Sequence, residues 1–250
     1  MTRSILNTFH RGIFYVTLIT CIPTMTFGDE FVHHPAPKKP VFINEAWYST
    51  LLKEIPSPPQ KDHKEQANDV ERLLSLQKSR SELDCARAGR EVKVTLANFF
   101  GPPNGPLAER ALEKLSPFFD QIRNDADFFI QKLKIDFPRE RPFLYIKGLT
   151  PCVPKEVTGS YPSAHAVLSR LYALVISDIF PNERDKLSIV ADQIALDRVL
   201  SGMHHPSDIE AGKVIGNLVY VELKKSKKFM NAFNKMGKSL DVKSSSKTGQ

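Results

Sequence analysis

The chain is short of cysteine, of alternating apolar–polar runs and, past its first 28 residues, of any uninterrupted apolar stretch of about 20 residues. The missing long apolar runs argue against a multi-span membrane enzyme. The missing alternation argues against strands and leaves an all-α fold as the expected class. There is no internal repeat. His33 and His34 are adjacent, but no cysteine or acidic cluster accompanies them, so they read as solvated loop residues rather than metal ligands.

Charge of one sign is also scarce where it would matter. The formal charge is +7, of which Arg3 and Arg11 supply two. From Glu222 to Gln250 eight lysines face Glu222 and Asp241, a balance of +6, so the body between is close to neutral at −1. The basic pI therefore implies no nucleic-acid partner. The lysines lie in a Ser/Lys-rich end that reads as a basic flexible tail over 233–250.

Residues 1–28 read as a secretory signal, with Arg3 and Arg11 before a largely apolar Gly12–Phe27 and small residues Thr26 and Gly28 ahead of Asp29. Export to the bacterial periplasm or beyond is the expectation, with no stable membrane insertion. Cys85 and Cys152 then remain, and their pairing is left open. Residues 29–64 hold Pro35, Pro37, Pro40, Pro56, Pro58 and Pro59 and predict an extended arm. Residues 65–232 predict one helical domain.

Helical spacing appears over 66–83 (Val70, Leu73, Leu74, Gln77) and over 107–134, there in two stretches divided near Pro117. "GPPNGP" at 101–106 is a loop. Three later helices carry the strongest signal. In 164–179 the stripe Leu168, Tyr172, Val175, Ile179 extends back to His165. In 185–199 the face of Leu187, Val190, Ala191, Ile194 and Ala195 continues to Arg198. In 206–223 the face of Ala211, Gly212, Ile215, Leu218 and Val219 begins at Asp208, with Pro206 suited to a first turn. Polar residues at the ends of stripes that must face a core persist where they meet one another or a ligand, because burying them unpaired costs several kcal/mol. A structural Arg198–Asp208 pair with two core histidines is the plainer alternative.

Three ordered patterns decide between these. They are Lys134-x6-Arg141-Pro142, Pro162-Ser163-Ala164-His165, and Arg198-x5-His204-x3-Asp208. With each residue type used at a few per cent, the ordered set arises by chance roughly once in 10^5 chains. Three cations, two histidines and an aspartate describe a pocket for a tetrahedral oxyanion with acid–base chemistry, since an excess of cations demands an anion. Ser163 is placed to cap the helix that starts near Ala164, where free N–H groups could meet an oxyanion.

These patterns resemble the signature of the PAP2 acid-phosphatase superfamily, K-x6-RP, PSGH and SR-x5-H-x3-D. The flanking "GSYPSAH" and "RVLSGMHHPSD" look most like bacterial class A non-specific acid phosphatases. The resemblance covers about residues 57–232 and implies a helical fold of the PAP2/vanadium-haloperoxidase-like type. It implies a phosphomonoester hydrolase with His204 as nucleophile, Asp208 orienting it and His165 as acid and base. Lys134, Arg141, Ser163, Ala164 and Arg198 would bind phosphate. No metal or other cofactor is implied, because lysine and two arginines supply the charge. A small phosphomonoester would be the partner, and self-association is left open. A phosphatase of lipid phosphates at a membrane surface and a vanadate-dependent haloperoxidase are the alternatives.

Two positions depart from that pattern. Ala164 stands where glycine is usual, harmless unless φ must be positive. Asp197 stands where serine is usual and is expected to point away from the pocket. His205 reads as a rim or surface residue, and Asp136, Arg139 and Glu140 as a solvated turn. Phe99–Phe100 and Phe118–Phe119 read as core.

Overall fold

In the computed structural model of the chain, residues 31–32 and 38–241 are described. The expected leader, His33, His34 and the last nine residues of the tail lie outside them.

The fold is built around one helix that is apolar on nearly every face. This is α6, described below by its neighbours. In chain order the helices are α1 (Tyr48–Glu54), α2 (Lys64–Ser79), α3 (Glu82–Arg90), α4 (Leu96–Phe100), α5 (Glu109–Asp136), α6 (Ala164–Ile179), α7 (Arg184–Leu200), α8 (Pro206–Lys225) and α9 (Lys227–Asp241). Ala166, Val167, Leu168, Leu171, Tyr172, Val175 and Ile176 of α6 are all buried, the composition of a helix surrounded by others. It packs chiefly on α7 and α8. Two glycines set how closely: a Cβ at Gly212 would come within 2.7 Å of the Ala166 Cβ, and one at Gly216 within 2.7 Å of the Val167 carbonyl oxygen. Side chains there would push α8 away from the first turn of α6.

The main core joins Phe99, Phe100, Phe118, Phe119, Ile122 and Phe129 with α6 and with Phe229 of α9. The paired phenylalanines are core, as expected. A second cluster under α2 holds Leu73, Ala195, Val199 and Ile209. The described residues make one compact all-α domain. Its strands are two residues each, β1 (Phe31–Val32) parallel to β2 (Lys155–Glu156), with Val32 opposite Glu156. No described helix is long and apolar enough to cross a membrane.

Four expectations need correcting. The stretch 29–64 is not simply extended, for α1 lies within it and Phe42, Ile43 and Leu51 are in the core. It is clamped by the buried Asp125 carboxylate, which accepts the backbone N–H groups of Val41, Phe42 and Ile43 at 2.5, 2.7 and 2.9 Å. Helix α5 runs unbroken past Pro117, because Leu115, Phe118 and Phe119 are buried on either side of the proline. The helix expected over 66–83 stops at Ser79, and a capping box between Ser81 and Asp84 starts α3. Residues 233–241 of the expected tail are helical, since Phe229 and Met236 fix α9 to the core.

Cys85 and Cys152 form a disulfide that ties α3 to the loop before β2. It closes a loop 67 residues apart in sequence, and the chain-entropy treatment of such a loop gives about 4 kcal/mol. Urea unfolding of the oxidised protein against a Cys85→Ser/Cys152→Ser variant should show a loss of that order. A difference below about 1 kcal/mol would mean that α3 is held without the bond.

Candidate functional site

Lys134 leaves the last turn of α5, and Arg141 precedes the short 3-10 turn Pro142–Leu144. His165 sits in the first turn of α6, Arg198 in the last turn of α7 and Asp208 in the first turn of α8. Between α7 and α8 the chain reverses at Gly202, whose φ of +78° is costly for any residue with a Cβ. That turn brings the N–H groups of Met203 and His204 onto the Arg198 carbonyl at 3.0 and 3.1 Å. The imidazole of His204 is thereby delivered beside α8.

The centre of the cluster is a relay. His204 Nδ1 lies 3.3 Å from Asp208 Oδ2, and His204 Nε2 lies 2.9 Å from Arg141 Nη1. A guanidinium has donors only, so Nε2 must be the unprotonated nitrogen and Nδ1 carries the proton toward Asp208. Burial first, then Arg141, pushes the pKa of His204 down to about 3, against the pull of Asp208. The imidazole is neutral, with its lone pair on Nε2. Burial alone would raise Asp208, but donors from His204, His205 and Arg139 outweigh it and hold the carboxyl well below its ordinary range.

Arg198 and His165 converge on α3. Arg198 Nη2 donates to the Ala88 carbonyl at 2.7 Å and approaches Glu91 Oε2 at 3.4 Å. Its Nε is buried with no hydrogen-bond partner among the described residues. His165 Nε2 lies 3.0 Å from the Glu91 carbonyl oxygen, so Nε2 carries the proton. Burial, then Arg198, holds the pKa of His165 well below its usual value. Asp197 does turn away: its carboxylate takes Arg87 Nε and Nη2 at 2.6 and 2.7 Å. Ala164 begins α6, and no described non-glycine residue has positive φ. Ser163 caps that helix, accepting the Ala166 N–H.

Lys134 donates to the Gly159 carbonyl at 2.6 Å, and burial followed by Arg141 lowers its pKa to about 7. It lines a cavity of about 600 Å³ together with His165, Ala164, Glu156 and Thr158. Arg141 lines a neighbouring recess of about 250 Å³ that shares Glu156 and Thr158. Arg198, His204 and Asp208 are almost fully buried and line neither cavity. Separate helix ends thus bring Lys134, Arg141, Arg198, His165 and His204 to one electrostatically coupled cluster.

Two expectations fail here. His205 is fully buried, with Nδ1 3.2 Å from Asp208 Oδ2 and Nε2 2.8 Å from the Tyr145 hydroxyl. Arg139 is no solvated turn residue. It bridges Asp208 Oδ1 at 2.6 Å, Asp69 Oδ2 at 2.8 Å and Ser207 Oγ at 2.7 Å, while Asp136 and Glu140 are exposed. The sequence reading also missed Ser160, which donates to Asp208 Oδ2 at 2.5 Å, and Glu91, Asp69 and Gln66. A usable signal existed for two of them: Gln66 and Asp69 share the buried stripe of Leu73.

Comparison with known proteins agrees with the motifs and the helical fold. Residues 126–228 match the PAP2 superfamily. All three patterns fall inside that segment, whereas Gln66, Asp69, Arg87 and Glu91 lie before it. Similar proteins include a "Non-specific acid phosphatase" of Providencia stuartii, 28% identical over 147 residues covering 56% of this chain and 59% of that protein. Others are proteins of the same name from Salmonella typhi and Salmonella typhimurium, 31% and 30% identical over 112 residues, each covering 43% of this chain and 44% of the relative. The chain thus spans about half the length of these curated relatives.

Replacing Arg139 by leucine would leave Asp69 and Asp208 without their shared cation. Breaking a buried pair from one side costs about 3–5 kcal/mol, which chemical denaturation would read as a lower midpoint. Arg139→Lys, keeping the charge without the fork, should lose less. A leucine variant within about 1 kcal/mol of the wild type would show that the carboxylates do not need Arg139.

Proposed function

We propose that the protein hydrolyses phosphomonoesters through a phosphohistidine on His204, without a metal. The observation that carries this reading is the Arg141–His204–Asp208 relay, which leaves a neutral imidazole with its lone pair facing a guanidinium. A nitrogen so prepared suits attack on an electrophile that the same guanidinium binds. His205 is a poor rival, because both of its nitrogens are engaged by Asp208 and Tyr145. The similar proteins named non-specific acid phosphatases support the phosphatase part of this reading.

In this reading Arg141, Arg198, Lys134 and the N–H groups at the start of α6 take the phosphoryl oxygens. His204 Nε2 forms a bond to phosphorus as the P–O bond to the leaving group breaks. His165 gives its proton to the departing alkoxide. Water then loses a proton to His165 and attacks phosphorus, and the P–N bond breaks to free His204. Without a ligand charge in the balance, burial and Arg198 hold the pKa of His165 well below its usual value. A dianion beside both groups reverses that balance and favours the imidazolium the first step requires. The Cys85–Cys152 bond and the leader expected at 1–28 support export to an oxidising compartment such as the bacterial periplasm.

A phosphomonoester panel with EDTA present is the direct test. Turnover should persist, and His204→Ala should lower it by at least about 10^3-fold, with acid quench trapping phosphate on the wild-type protein. Near-normal turnover in His204→Ala would remove the nucleophile assignment.

Lys134 adds a pH signature. Its pKa of about 7 means that above that pH the amine is neutral, whereas a bound dianion favours the charged form. Binding then requires proton uptake. Affinity for tungstate, a dianion throughout this range, should fall by up to about tenfold per unit from pH about 7 upward. Calorimetry in buffers of different ionisation enthalpy would show the proton, and a flat affinity would take Lys134 out of the site.

A further inference from the structure

Arg141 has five N–H groups, and the structure accounts for each of them. Nε donates to the Thr158 carbonyl at 2.9 Å. Nη1 meets the Met203 carbonyl at 3.1 Å and His204 Nε2 at 2.9 Å. Nη2 meets the Thr158 hydroxyl at 3.2 Å and Glu156 Oε2 at 2.5 Å. No N–H is left over for a phosphoryl oxygen, so a ligand must displace a partner. Four of the five are neutral, and three of those are built into the backbone or the relay. Glu156 is the fifth and the one anion, so a dianion is the ligand suited to replace it.

The position of Glu156 fits that part. It lies in the loop between the first and second sequence patterns and lines both the 600 Å³ cavity and the 250 Å³ recess. Its side chain is 15% exposed against the 2% of Arg141, so it lies nearer the surface than its partner. Burial lowers the pKa values of Lys134, His165 and Arg198, and the Glu156 charge pulls all three back up. One carboxylate therefore acts on the three cations that would hold a phosphate and on the acid–base His165. Its backbone is kept in place by the β1 pairing, with Val32 opposite Glu156.

We infer that Glu156 is an internal competitor for the oxyanion site, a tethered carboxylate that a phosphate must displace from Arg141 before it binds. This rests on the phosphatase reading and names what sets that site's affinity. The apparent dissociation constant is the intrinsic one divided by the fraction of molecules with Glu156 swung out. A pairing favoured ten to one thus weakens phosphate binding roughly tenfold. Glu156 would accordingly tune the protein toward phosphate-rich surroundings and limit inhibition by the product.

The test is calorimetric titration of inorganic phosphate into the full chain and into Glu156→Gln and Glu156→Ala, with KM and kcat on one phosphomonoester. Both variants should bind phosphate about tenfold tighter, and the inhibition constant of phosphate should fall by the same factor. A residue that merely braced Arg141 would give the opposite sign, with weaker binding and lower kcat. If the wild type binds phosphate and the variants bind it no better, the inference about Glu156 is overturned while the phosphatase reading stands. If neither wild type nor variants bind phosphate or turn over any ester, the phosphatase reading falls first. Failure of both variants to fold, seen by circular dichroism, would mark the ion pair as structural and overturn the inference as well.

Discussion

The arrangement depends on one buried charge, the Asp208 carboxylate. It has no access to water, and a carboxylate in that state costs several kcal/mol unless donors surround it. The donors arrive from Arg139, from the Ser160 hydroxyl, from the His205 backbone and from the two imidazoles. Because each must reach the same two oxygens, the loop before α6, the turn before α8 and the segment after α5 are all placed by the same requirement. The orientation of His204 follows: its Nδ1 is drawn to Asp208, and only then does Nε2 point at Arg141. What looks like catalytic geometry is in the first instance the way the fold solvates an anion.

The cations are matched more closely than their number suggests. Arg139 lies between Asp69 and Asp208, Arg87 on Asp197, and Arg141 on Glu156. An excess of positive charge read from the sequence is therefore partly answered from within the chain. Lys134 donates to a backbone carbonyl, and Arg198 has a buried Nε without a hydrogen-bond partner among the described residues.

Much of this was legible in the sequence, and the part that was not has a common cause. Helices α6, α7 and α8 follow from uninterrupted apolar stripes, and His165, Arg198 and Asp208 stand out because they end those stripes. The signal is local: each residue is anomalous against its own helix. Arg139, Glu91 and Glu156 have no such background. They lie in loops or at a helix end, where a charged residue is ordinary, and their partners are 69, 107 and 15 residues away. His205 was misjudged for the same reason, since nothing nearby reveals that Tyr145 and Asp208 enclose it. Pro117 failed as a helix breaker because core packing on both sides outweighs one missing backbone hydrogen bond.

The replacement of serine by Asp197 shows how a departure from a pattern is absorbed. A fully buried carboxylate next to Arg198 would neutralise the guanidinium that should hold an anion. Here a two-point contact from Arg87 also answers that charge, and Arg87 stands two residues from the disulfide-anchored Cys85. Glu91 completes the adjustment. Burial pushes its carboxyl up to about 8, against the pull of Arg198 and with help from Asp197. Its contact with Arg198 Nη2 is long, at 3.4 Å. Asp197, Arg87 and Glu91 thus belong together, and two of the three come from outside the segment that the family match covers.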